Sequence, residues 1–123
     1  MPNSVLVIDD SDSVRYHIIS TLKNVSLFDQ YREARDGIDG FKSVLSAKPD
    51  LIICDLEMPR MDGFDLTAKV RSDKQLAELP IVLVTALESR EHRERGIDAG
   101  ANAYIVKSSF DQSNLLEVIK RLI

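Results

Sequence analysis

The sequence predicts an α/β fold with a doubly wound, five-stranded parallel sheet, and three observations lead there. First, four short runs are apolar, rich in β-branched residues and free of alternation: Ser4-Val5-Leu6-Val7-Ile8, Leu51-Ile52-Ile53-Cys54, Ile81-Val82-Leu83-Val84 and Tyr104-Ile105-Val106. Strands buried on both faces, as in a parallel sheet covered by helices, have this pattern. Second, helical patterns separate the runs. Five βα units result, and right-handed crossovers then favour helices on both faces of one sheet. Third, each run stops at a chemically loaded residue: Asp9-Asp10, Asp55, Thr85 and Lys107. Ligands of open parallel sheets bind at the carboxyl ends of the strands. The pattern thus gathers three carboxylates, a hydroxyl and an ammonium group at one edge.

After the first strand, Ser11-Asp12-Ser13 can cap a helix in which Val14, Ile18, Leu22 and Val25 recur at helical spacing. A weaker strand follows near Tyr31-Arg32-Glu33-Ala34, and its polar content places it at a sheet edge. Gly37 opens a helix with Ile38, Phe41, Val44 and Leu45 on one face. Pro49-Asp50 ends the connection to the third strand. Pro59 stiffens the loop after Asp55, and Gly63 allows a tight turn into a helix with Leu66 and Val70 facing inward. Pro80 begins the fourth strand. The fourth helix is poor: Glu88 to Arg95 is polar throughout, with Leu87 and Ile97 as its clear anchors. A helix with little to bury is held weakly. Its ordinary reading is a solvated helix laced with Glu/Arg pairs; its functional reading is a mobile element that responds to the site. Gly100 breaks it. Asp111 to Ile123 forms the last helix, with Leu115, Val118, Ile119 and Leu122 inward.

Residues 1–123 are expected to form one domain, large enough to bury a core without staples. Hydrophobic residues at 44% and charged residues at 29% fit a soluble globular class. The net charge of -4 argues against a nucleic-acid surface. No apolar run approaches the ~20 residues of a membrane span, and no signal peptide is visible. Cys54 is the single cysteine, which excludes an internal disulfide and fits a cytoplasmic location. Lying within an apolar run, it reads as a small core residue. His17 and His92 sit among helical polar residues and read as surface residues.

Asp9, Asp10 and Asp55 in one crevice repel, and some take up protons unless a cation is present. An all-oxygen environment suits Mg²⁺, which usually takes one or two carboxylates and keeps several waters. Lys107 adds a second positive charge and Thr85 a neutral donor. Such groups around one exposed carboxylate make a phosphoryl-transfer site with Asp55 as nucleophile. A lone Asp after a strand is ordinarily a cap or turn residue. The specific signal is that all four loaded ends fall on the ligand-binding edge.

Four pieces together resemble the receiver domains of two-component response regulators: Val5-Leu6-Val7-Ile8-Asp9-Asp10-Ser11, Asp55-Leu56-Glu57-Met58-Pro59-Arg60-Met61-Asp62-Gly63, Leu83-Val84-Thr85-Ala86, and Gly100-Ala101-Asn102-Ala103-Tyr104-Ile105-Val106-Lys107. The resemblance covers essentially the whole chain. It implies a flavodoxin-like strand order 2-1-3-4-5, which an edge strand at Tyr31–Ala34 fits. It implies a signalling switch whose only catalysis is its own phosphoryl transfer and dephosphorylation. Asp55 would accept a phosphoryl group from the phosphohistidine of a sensor histidine kinase. Asp10 and Asp55 would bind Mg²⁺ with the backbone carbonyl of Glu57, and Asp9 would act through water. Lys107 would pair with a phosphate oxygen, Thr85 would move to bond the phosphoryl group, and small Ala86 would leave the site open. Tyr104 would turn inward as Thr85 moves. That turn would reshape the face of the fourth helix, fifth strand and fifth helix toward a downstream protein or a fused output domain. The ordinary reading of Tyr104 is an edge-strand aromatic.

Glu57 and Leu87 lie two past Asp55 and Thr85, where the family tunes dephosphorylation. Leu87 cannot orient a water, so slow self-dephosphorylation is expected. Most receivers carry a cis proline after the lysine; here the run is Lys107-Ser108-Ser109-Phe110. A cis bond to serine costs roughly 2.5–4 kcal/mol rather than about 0.5–1, so that geometry is not carried over. The Lys-Ser-Ser-Phe-Asp-Gln segment is also similar to receivers fused to chemotaxis-type histidine kinases. Two other Asp- or phosphate-based readings fit less well. A haloacid-dehalogenase-type phosphatase has its Asp-x-Asp after the first strand, and a flavodoxin-like flavin carrier would have its phosphate repelled by Asp9-Asp10. A degenerate receiver that signals by binding alone would not need the intact set of Asp9, Asp10, Asp55, Thr85 and Lys107.

Overall fold

Strands and helices alternate in a computed structural model that describes residues 3–86, 90–107 and 112–123. In chain order they are β1 (Ser4–Ile8), α1 (Asp12–Asn24), β2 (Gln30–Ala34), α2 (Gly37–Ser46), β3 (Leu51–Cys54), α3 (Gly63–Ser72), β4 (Ile81–Thr85), α4 (Arg90–Ala99), β5 (Ala103–Val106) and α5 (Gln112–Leu122). The strands form one five-stranded sheet of order β2-β1-β3-β4-β5, and every pairing is parallel. β1, β3 and β4 are buried along their whole length, whereas β2 is largely exposed or half-buried, as an edge strand is. This is the predicted fold class and order.

Successive residues of a strand point to opposite faces, which divides the core in two. Leu6, Ile8, Ile52, Leu83 and Tyr104 join Val44 of α2 and Phe64, Leu66 and Val70 of α3. Val5, Val7, Ile53, Val84 and Ile105 join Ile18, Ile19 and Leu22 of α1 and Leu115 and Ile119 of α5. Because each helix starts just after a strand's carboxyl end, helix caps collect at the same edge. The Ser11 hydroxyl accepts from Val14 N at 3.3 Å, Asp36 Oδ1 from Asp39 N at 2.9 Å, and Asp62 Oδ1 from Asp65 N at 2.8 Å.

Several inward-facing assignments move. Val25 is exposed, because α1 ends at Asn24 and Ser26 turns the chain at φ 53°. Leu45 is 59% exposed, and α2 instead faces the sheet with Gly37, Gly40 and Val44. A Cβ on Gly40 would lie 2.5 Å from Ile8 Cδ1, so a bare position lets this helix approach β1. Ile97 is 50% exposed, and α4 presents Gly96 to the sheet. Leu87 and Asp111 lie outside the described residues. Leu115 and Ile119 are fully buried, while Val118 and Leu122 are half-buried. Gly100 follows α4 at φ +111°, where its lack of Cβ is required. Among the described residues, no helix is long and apolar enough to cross a membrane.

Candidate functional site

The register aligns Ile8 with Cys54 and Thr85 with Val106. The residues that follow β1, β3 and β5 therefore meet at one edge. Asp55 N donates to Ile8 O at 2.9 Å and Asp9 N to Ala34 O at 3.1 Å, which extends the ladder into the site. One carboxylate oxygen each from Asp9, Asp10 and Asp55 lies within 4.8 Å of the others. Asp9 is 2% exposed and Asp55 7%, while Asp10 is exposed. Lys107 Nζ stands 3.2 Å from Asp9 Oδ2 and 3.7 Å from Asp55 Oδ1. Asp9 Oδ1 accepts from Ser11 N, and Asp55 Oδ1 from Leu56 N, both at 2.9 Å.

Burial, followed by the charge of Asp9, pushes the Asp55 carboxyl up to about 6; Lys107 and the Leu56 N–H oppose this, and Asp10 adds to it. Three hard oxygen donors, mutually repelling and only partly neutralised by one ammonium, fit a divalent cation. The backbone beneath is closely packed. A Cβ on Gly63 would fall 2.5 Å from Asp55 O, so the predicted tight turn is a close approach of α3 to the site. The Cys54 thiol donates to Asp55 O at 3.1 Å, and burial pushes it well above its usual range.

Thr85 ends β4 and is fully buried, and Ala86 beside it is exposed. Tyr104 lies on an edge strand yet is only 6% exposed. The Arg93 guanidinium sits 5.0 Å from its ring centroid and donates through Nη1 to Tyr104 O at 3.2 Å. Arg93 and Gly96 of α4 thus cover the Tyr104 ring. Glu57 is exposed and lines a groove with Asp10, Met58, His92 and Arg95. His92 is half-buried and stacks on Phe64 at 6.5 Å, which corrects its assignment to the surface; His17 is exposed as expected. Leu87 and the Lys107–Ser108 bond fall outside the described residues.

Sequence reasoning missed three residues beside the site. Arg15 is buried and donates to the Asp9 carbonyl, to Asp12 and to Glu33 Oε1. Its signal was present: positions 15, 18, 19 and 22 form one helical face. Arg60 pairs with the buried cap residue Asp36, with Nη2 at 2.7 Å from Oδ2. No local pattern joins residues so far apart in sequence.

The sequence matches the family model of the response regulator receiver domain over residues 5–120. It is 36% identical over 118 residues to the gliding motility regulatory protein of Myxococcus xanthus, covering 96% of this chain and 15% of that protein. It is 35% identical over 121 residues to the sensor histidine kinase CheAY of Helicobacter pylori, again covering 97% of this chain and 15% of the relative. The chain thus spans a small part of these relatives. Among solved structures, the chemotaxis protein CheY4 of Vibrio cholerae matches with a TM-score of 0.89 and 32% identity, covering the whole of both chains. The chain belongs to the response regulator receiver family. As a receiver domain it is a phosphorylation switch of two-component signalling, and its catalysis is that of its own phosphoryl transfer and dephosphorylation.

Proposed function

We propose that Asp55 is the phosphoryl acceptor, that Mg²⁺ is the metal, and that the donor is the phosphohistidine of a sensor histidine kinase. The observation that carries this is the position of Asp55. It is a buried carboxylate at the end of a central strand, beside Asp9 and 3.7 Å from Lys107 Nζ. Asp10, Asp55 and the backbone carbonyl of Glu57 would hold Mg²⁺, with Asp9 acting through water. When bound, Mg²⁺ supplies positive charge that offsets the charge of the phosphoryl oxygens.

In transfer, an Asp55 carboxylate oxygen forms the new bond to phosphorus. The phosphorus–nitrogen bond of the donor breaks, and its electron pair stays on the imidazole. Lys107 then turns from the two carboxylates toward a phosphoryl oxygen. Thr85, at the end of the neighbouring strand, bonds the phosphoryl group, and Tyr104 responds on β5. The face of α4, β5 and α5 thereby changes toward a downstream protein or a fused output domain. Similarity to a sensor histidine kinase and to a chemotaxis protein supports a kinase donor. The expected outcome is that acetyl phosphate with Mg²⁺ adds the mass of one phosphoryl group to the parent and none to Asp55→Asn. Full modification of Asp55→Asn, or modification mapped to a histidine, rejects the assignment.

A further inference from the structure

The loop after Asp55 is tied down at both ends. At its near end, Gly63 N donates to Leu56 O at 3.0 Å. At its far end, Met61 N donates to Pro59 O at 2.8 Å across Arg60, whose φ is 69°. This is a γ-turn with its central residue in the left-handed region, a rare and strained form. Such backbone is unfavourable for a residue with a Cβ and persists only when its surroundings hold it.

Two contacts from the start of α2 do the holding. Arg60 Nε and Nη2 both donate to Asp36 Oδ2, at 2.9 and 2.7 Å, and Nη2 also reaches Asp39 Oδ1 at 3.1 Å. Gly37 N donates to Met61 O at 3.1 Å, and a Cβ on Gly37 would meet that oxygen at 2.4 Å. Asp36 is 5% exposed, and its other oxygen caps α2. Burial pushes the Asp36 carboxyl up, but the Asp39 N–H, the Arg60 guanidinium and the Ile38 N–H together hold it below its usual range, so it stays charged and keeps its grip.

Between Arg60 and Glu57 lie only Met58 and Pro59. Proline fixes its own φ and restricts the residue before it to extended conformations. The link is stiff, so the backbone at Arg60 determines where the Glu57 carbonyl points. We propose that the Arg60–Asp36 pair is a positioning clasp that holds the strained turn and thereby fixes the Glu57 carbonyl for the metal ion. The proposal rests on the metal reading above. Arg60 and Asp36 act through the backbone and would touch neither the metal nor the phosphoryl group.

The test is titration of the intact protein with Mg²⁺ alone, alongside thermal melts in chelator. Arg60→Gly removes the clasp but also relieves the positive φ, so its melting temperature in chelator should stay close to the parent's. Its Kd for Mg²⁺ should rise about tenfold, the usual size for outer-shell partners. Asp36→Asn keeps the cap and loses the charge, and its Kd should rise similarly. The double variant should be no weaker than either single one. Phosphorylation by acetyl phosphate should slow at limiting Mg²⁺ and recover at saturation. A parent-like Kd in Arg60→Gly, or additive effects in the double variant, overturns the clasp alone. A parent that binds no Mg²⁺ overturns the metal reading and the clasp's role with it.

Discussion

Asp55 is held by folding in a place its own charge opposes. Its carboxyl rises from 3.8 to about 6 through burial first and the charge of Asp9 second. Between those two values the folded state holds a proton that the unfolded state has lost, so stability falls as pH rises through that window. Above it, the buried charge costs about 1–3 kcal/mol in the metal-free protein. Asp55→Asn should therefore raise the melting temperature in chelator at about pH 8, and the gain should vanish near pH 4. Equal melting temperatures at both pH values would show that Asp55 is not strained. Arg15 and Arg60 show the limit of reading at this scale. Arg15 lay on the apolar stripe of its helix, but pattern matching counts apolar residues and skips a cation. Asp55, Thr85 and Lys107 were legible because strand ends mark themselves by an abrupt change from apolar to polar.

Among the described residues, α4 buries Gly96 alone. Its contact with the sheet runs through Gly96, where an added Cβ would stand 3.1 Å from both Leu83 Cδ1 and Tyr104 Cδ2. Two of its arginines lie over rings, Arg93 on Tyr104 and Arg95 at 4.2 Å from the Phe64 centroid. Cations over aromatic faces contribute about 0.5–2 kcal/mol each. Arg93→Ala should therefore speed amide exchange across Arg90–Ala99 and loosen Tyr104, while α1 and α2 keep their protection. Unchanged exchange in α4 would mean that Arg93 is not a tie. The sequence showed that this helix was poor but misjudged its anchors. An apolar count rewards Ile97 and gives no weight to a bare glycine or to a guanidinium on a ring. The same count placed Val25 and Leu45 inward, one helix ending too soon for its residue and the other rotated toward its glycines.

In the whole molecule, one sheet serves two separate cores. Leu6 packs in the layer of α2 and α3, and Leu115 in the layer of α1 and α5; both are fully buried. Leu6→Ala and Leu115→Ala should each lose about 2–5 kcal/mol. Since they share no cluster, their losses should add within about 0.5 kcal/mol in urea unfolding. A large departure from additivity would show the sheet coupling its two faces. Five βα units, both layers and the polar edge strand were legible from periodicity. Strand order was not, because residues 4–8, 51–54 and 81–84 are equally apolar and nothing local says which neighbours which.

The buried thiol of Cys54 has a use unrelated to signalling. It is fully enclosed, bonded to the Asp55 carbonyl and held in its unreactive protonated form. A soluble alkylating reagent reaches it only when β3 leaves the sheet. The rate at which native protein is alkylated is therefore a clock of domain opening. Anything that tightens the crevice above β3 slows that clock.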